Sequence, residues 1–280
     1  MPVRGGKLQQ RLDLLVTTFD VSTIAPDPLQ LVLRYSDPRD QEVAGLLAAA
    51  FAYGRADIVV ANVGRILDRM GTSPHAYLTT FVPAEGTRRF AGFAHRFHKT
   101  AELVDLLTCM AVAINDHGTL GNLFRHVYRQ DEGDIGPSLA RFVDALIGPR
   151  RTKALDYLLT SPANGSACKR MNLFLRWMIR RTPPDLGIWT FADPSKLVMP
   201  VDTHVHRIAT FLGLNDRKSA DWKAARALTD RLAKFDRADP VRYDFAICRL
   251  GILDLCSRRR RKENCDVCWL RDVCRFPVAG

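Results

Sequence analysis

The sequence predicts an all-α protein, and three observations carry that expectation. Apolar residues recur at steps of three and four, good helix formers fill the segments between turn residues, and no sustained apolar–polar alternation marks a strand. In chain order, the Ala- and Leu-rich stretch from Asp40 to Asp57 reads as a helix. Val59, Val63, Ile66, Leu67 and Met70 form one face of a second, ended by Gly71-Thr72-Ser73-Pro74. Leu103, Leu106, Leu107, Met110 and Ile114 mark a third. Leu139, Phe142, Val143, Leu146 and Ile147 mark a fourth, closed by Gly148-Pro149. Met171 to Arg180 follows, then a stripe of Val205, Ile208, Phe211 and Leu212 that Gly213 stops. Ser219 reads as the N-cap of a helix through Trp222, Ala225, Leu228 and Leu232. Asp239-Pro240 reads as N-cap and first residue of a last helix ending near Leu255.

The chain has 280 residues, 47% hydrophobic and 25% charged, which excludes a disordered or fibrous protein and fits one large or two small domains. Its net charge of +11 points to a polyanionic partner. No apolar run approaches the ~20 residues that span a bilayer, and no secretion signal is visible, so a membrane partner is not expected. Seven cysteines, an odd number, argue against a disulfide framework. The expectation is a cytoplasmic, nucleoid-associated monomer.

Four of those cysteines, Cys256, Cys265, Cys268 and Cys274, fall in nineteen residues as C-x8-C-x2-C-x5-C. Thiolate is the ligand shared by zinc and iron–sulfur clusters. With a single C-x2-C pair and a wide first gap, the spacing favours a [4Fe–4S] cluster, with zinc second. Inside the first gap lie Arg258, Arg259, Arg260, Arg261 and Lys262. Such a run is commonly a solvated face, but on a metal-organised loop it predicts a cationic pad for phosphates.

Two further segments carry chemistry. Ser161 to Arg170 breaks one helix and opens another through an Asn164-Gly165 turn. Backbone N–H groups at Asn164, Gly165 and Ser166 suit one phosphate, and Lys169 and Arg170 follow on the first turn of the next helix. An ordinary basic helix corner reads the same way. Asp202, in Val201-Asp202-Thr203-His204-Val205-His206-Arg207, precedes an apolar-periodic helix and is placed at its N-cap. A cap alone would explain it. His204 and His206, two apart, point to different helix faces and are not read as a metal pair.

Taken together, the Val201-Asp202-Thr203-His204-x-x-Arg207 run and the late four-cysteine loop resemble the helix-hairpin-helix DNA glycosylase superfamily, in its iron–sulfur, endonuclease III-like branch. The chain is also similar to a bacterial family related to these glycosylases. The present cysteine loop is two residues longer in its first gap. The usual hairpin is richer in glycine than Pro-Ala-Asn-Gly-Ser-Ala-Cys-Lys. The separation of 33 residues between Lys169 and Asp202 is longer than in endonuclease III and is similar to that of archaeal 8-oxoguanine glycosylases.

The resemblance implies two helical lobes, a central one at residues 40–200 with the hairpin, and a terminal one at 1–39 and 201–280 with a cluster loop at 256–274. It implies a base-excision-repair glycosylase with AP lyase activity on double-stranded DNA containing a damaged base, 8-oxoguanine favoured. Lys169 would attack C1′ and form a Schiff base, made more nucleophilic by burial and by Arg170, and Asp202 would stabilise positive charge on the sugar. Tyr53, in Ala52-Tyr53-Gly54-Arg55, would fill the gap left by the flipped nucleotide, although a helix-end core aromatic is an equal reading. Arg55, Arg170 and the turn residues would hold the backbone. The alternatives are a monofunctional glycosylase using Asp202 alone and a non-catalytic, cluster-containing DNA-binding protein; a zinc-binding RNA or ribosome-associated protein is more distant.

Overall fold

Two helices buried along nearly their whole length organise this chain. The computed structural model describes residues 4–257, 259 and 261–276. The described chain begins with α1 (Arg4–Thr18), α2 (Leu29–Val32), α3 (Pro38–Ala50), α4 (Ala56–Met70), α5 (Pro74–Thr79) and α6 (Pro83–Arg89). A hairpin of β1 (Ala94–His95) and β2 (His98–Lys99) leads to α7 (Thr100–His117), α8 (Leu120–Val127), α9 (Gly136–Ile147) and α10 (Lys153–Leu158). Then come α11 (Lys169–Ile179), α12 (Thr203–Phe211), α13 (Trp222–Leu232), α14 (Asp244–Ile252) and α15 (Lys262–Asp266). Helices carry the fold, as the sequence predicts. The antiparallel hairpin, pairing Ala94 with Lys99 and His95 with His98, is the exception.

The central pair is α3 and α11, buried from Val43 to Ala50 and from Arg170 to Ile179. They approach closely where Gly45 faces Met178 and Phe174. Their packing sets the N-terminus of α11 beside the C-terminus of α3, whose last carbonyls have no partner within the helix. Cations of α11 take those positions: Arg170 Nη1 donates to Ala50 O at 3.1 Å, and Lys169 Nζ to Ala52 O at 3.4 Å. One apolar core runs on from Leu12 to Leu270. Helix α1 sits against α14, with Tyr243 donating to Asp13 at 3.0 Å and Arg11 paired with Asp272 at 2.6 Å. Helix α2 packs on α3 and α4.

Three boundaries differ from the sequence expectation. The helix expected from Asp40 to Asp57 stops at Ala50, because Gly54 adopts φ +91° and turns the chain; Asp57 belongs to α4. The N-cap of α13 is Asp221, which accepts from Ala224 N at 2.8 Å, while Ser219 donates to that carboxylate. The last long helix begins at Asp244 rather than Pro240, because Asp239 is drawn into an ion pair with Arg180 at 2.8 Å.

The C-terminal loop corrects the metal expectation. Among the described residues no group of three or more His, Cys, Asp or Glu side chains is placed to hold a metal ion, so neither a [4Fe–4S] cluster nor zinc fits. Cys256, Cys265, Cys268 and Cys274 instead ring a cavity of ≈ 240 Å³. Burial pushes the Cys256 thiol up to about 11 and raises that of Cys268. The iron–sulfur and metal-binding descriptions fall with this finding, as do the alternatives built on a bound cluster or zinc. Arg258 and Arg260 lie outside the described residues.

Candidate active-site cavity

Between the α3–α4 break and helices α11, α12 and α14 lies a cavity of ≈ 440 Å³. Each wall follows from a local rule. On α11, Lys169, Leu173 and Arg176 stand at i, i+4 and i+7 and therefore share one face. On α14, Asp244 and Cys248 stand one turn apart and face the same space. Asp202 is the N-cap of α12, its Oδ1 accepting from His204 N at 2.8 Å and Val205 N at 2.9 Å. Helix α12 is pressed onto α14 where His204 covers Gly251, leaving no room for a Cβ there. The motif arginine, Arg207, donates to Cys256 O at 2.6 Å and so ties α12 to the start of the cysteine loop.

Lys169 and Asp202 thus line one cavity although 33 residues separate them. Among the described residues Lys169 forms no ion pair. Asp202 keeps Oδ2 clear of the capping bonds; Cys248 Sγ approaches it at 4.0 Å. Asp244 is 2% exposed. It pairs with Arg176, which also meets Asp185 at 3.1 Å, and Arg180 bonds the second oxygen of Asp185 at 3.0 Å. The Asp244 Oδ1 atom is buried with no partner. Burial pushes this carboxyl up to about 7 against the pull of Arg176; Asp202 raises it further and Lys169 opposes. Burial, with Asp202 and Asp244, lifts the Cys248 thiol well above its usual range. The cavity therefore combines a primary amine, an accessible carboxylate oxygen and a carboxyl that exchanges its proton near neutrality. That set can attack an electrophilic carbon, stabilise a cation and move a proton.

The residues expected to hold DNA are placed less uniformly. Arg55 lines the cavity rim, exposed but paired with Asp57 at 2.7 Å. Arg170 is buried; it donates to Ala50 O and Tyr157 O and lies 4.5 Å from the Tyr157 ring, away from solvent. Its guanidinium is engaged by carbonyls and rings of the fold rather than presented to a phosphate. Tyr53 is half-buried, its hydroxyl 2.5 Å from His98 Nδ1 and its ring edge-on to His95 and Tyr157. In this packing it is partly buried against the core. Asn164 and Gly165 are exposed, but their N–H groups bond Ser161 O and Pro162 O inside a short 3₁₀ turn. Gly165 O accepts from Trp222 N at 3.0 Å, and Ser166 Oγ accepts from Cys168 N at 3.1 Å. Arg259, Arg261 and Lys262 are exposed, with Arg261 paired to Asp254 at 2.6 Å.

Sequence reasoning missed Asp244, Arg176 and Cys248. A signal was present: Arg176 interrupts the apolar run Leu173 to Ile179, and a charge there requires a buried partner. Finding that partner required the packing of α14.

Among the described residues no helix is long and apolar enough to cross a membrane. A family model described as a protein of unknown function, DUF2400, matches residues 27–253, which include every residue lining the cavity except Pro26. No curated protein and no solved structure matches the chain.

Proposed function

The chain belongs to the DUF2400 family, and we propose that it is a DNA N-glycosylase with AP lyase activity that removes an oxidised base from duplex DNA. The convergence of Lys169 and Asp202 on one cavity is the observation that supports this reading most strongly. The net charge of +11 and the resemblance of the Asp202 motif and the hairpin lysine to helix-hairpin-helix glycosylases agree with it. In the proposed reaction a damaged nucleotide leaves the base stack and enters the cavity. The Lys169 Nζ lone pair forms a bond to C1′ as the N-glycosidic bond breaks. The base departs with the bonding pair and takes up a proton, and Asp202 Oδ2 stabilises the positive charge on the sugar. Ring opening, with an amine proton passing to O4′, gives the imine, and loss of a C2′ proton to water then expels the 3′ phosphate. Asp244 accepts the proton that Lys169 must shed before attack.

A second reading, base removal by Asp202 with water and no strand cleavage, draws support from the Lys169 Nζ already donating to Ala52 O. Both are tested on labelled duplexes carrying 8-oxoguanine, an oxidised pyrimidine, uracil or an abasic site. The lyase reading expects strand scission without alkali, lost in Lys169→Ala. Scission after alkali alone, unaffected by Lys169→Ala, establishes the second reading. No scission on any duplex under either condition overturns both.

A further inference from the structure

The hairpin beside the cavity presents a largely exposed aromatic ring at its tip. Phe97 is 58% exposed, at the tip of a two-residue turn between β1 and β2. A single exposed apolar side chain is ordinary on a protein surface, so its meaning rests on how it is held and on what surrounds it. Its presentation is fixed rather than incidental. The preceding residue, Arg96, holds φ +55°, a left-handed conformation unfavourable for a side chain other than glycine. Two buried histidines secure the strands beneath. His95 Nε2 lies 3.1 Å from Tyr53 O and its Nδ1 2.9 Å from Asn62 Nδ2, while His98 Nδ1 meets the Tyr53 hydroxyl. The Phe97 ring rests near-parallel on Tyr53 at 5.8 Å, meets the edge of Tyr157 at 4.9 Å and lies 4.6 Å from His98, so it is braced from within while more than half of it stays exposed.

Position and charge identify the occupant. The Arg96 side chain lies against Gly54, a residue of the cavity wall, which sets the hairpin tip at the cavity mouth. Beneath the hairpin, Arg65 and Arg69, one turn apart on α4, line a shallow cavity of ≈ 240 Å³ with Ala94. Among the described residues Arg65, Arg69 and Arg96 have no carboxylate partner, in contrast to Arg55. A rigid aromatic tip flanked by uncompensated arginines matches a base stack bordered by phosphates.

We propose that Phe97 is the wedge of this protein. It enters the duplex and stacks in the space vacated by the nucleotide that occupies the cavity, while Arg96, Arg65 and Arg69 hold the adjoining phosphates. This rests on the DNA-processing reading above, and it moves the insertion role from Tyr53 to a residue outside the motif segments.

The test separates the wedge from the chemistry by using a duplex that cannot react: a tetrahydrofuran abasic analogue facing 2-aminopurine. The full-length protein should raise 2-aminopurine fluorescence on binding. Phe97→Ala should lose that rise and bind about 5- to 150-fold more weakly, the range for one aromatic–base stack, with an unchanged melting temperature. Phe97→Trp should retain both properties, and Arg96→Ala should lower the salt dependence by about one phosphate contact. A fluorescence rise and affinity in Phe97→Ala equal to wild type would overturn the wedge, as would a wild-type protein that binds without unstacking the probe. Strand scission on damaged duplexes is read separately, so the wedge can fail while the glycosylase reading stands, and the reverse.

Discussion

The cavity and the hairpin face beside it differ in how their side chains are fixed. In the cavity, Lys169 and Asp202 occupy helix starts, where backbone groups set their position: Asp202 caps α12, and Lys169 reaches the end of α3. On the face outside, solvent exposure decides the role, and exposure depends on distant packing. Tyr53 and Arg170 are drawn inward by the His95–His98 hairpin and by Tyr157, and Arg55 is paired with Asp57. Phe97 and Arg96 remain outside. A motif therefore locates groups that backbone geometry fixes better than groups that only a surface can use.

The contrast is broken most severely at the buried ion network. Arg176→Ala leaves Asp244 and Asp185 without their shared cation, and the loss expected for breaking a buried pair is about 3–5 kcal/mol in urea unfolding. An unchanged midpoint would show that the network does not hold α11 to α14. The same network predicts a pH signature. The Asp244 carboxyl is raised by burial to about 7 from an unfolded value of 3.8, so the folded state holds its proton across that window. Its contribution to stability is fully present below pH 4 and is lost as pH rises through 7. Comparing unfolding of wild type and Asp244→Asn between pH 4 and 8 cancels the other titrations. Wild type should lose more stability with rising pH, and parallel curves would contradict the burial argument.

Asp202→Asn comes next. Asn caps a helix about as well as Asp, so melting should hold while base release falls about 100- to 1,000-fold. Equal losses in melting and turnover would reduce Asp202 to a structural cap. The smallest effect sharpens the outer face. Tyr53→Phe removes one hydrogen bond to His98, worth about 1 kcal/mol of stability, and leaves the 2-aminopurine response intact. Loss of that response in Tyr53→Phe would show that the hydroxyl's bond to His98 is what holds the hairpin tip in place.

Helical class, most helix positions and the Asp202 cap were legible because they depend on residues within four or five positions. The Gly213 stop belongs to the same group. What failed depends on longer range. Ser219 lost the α13 cap to Asp221, and Asp239 left its expected helix start to neutralise Arg180. The cysteine spacing was equally local, yet the four thiols surround a space without forming a ligand group. Asp244 was hidden because its partner, Arg176, is 68 residues away.

The central claim is that Lys169 is a nucleophile with Asp202 beside it, and borohydride trapping on abasic and 8-oxoguanine duplexes tests it most directly. The account predicts a covalent protein–DNA adduct with wild type, none with Lys169→Ala, and a weaker one with Asp202→Asn on the 8-oxoguanine duplex. An adduct that survives Lys169→Ala, or none from a folded wild type that binds both duplexes, would contradict it.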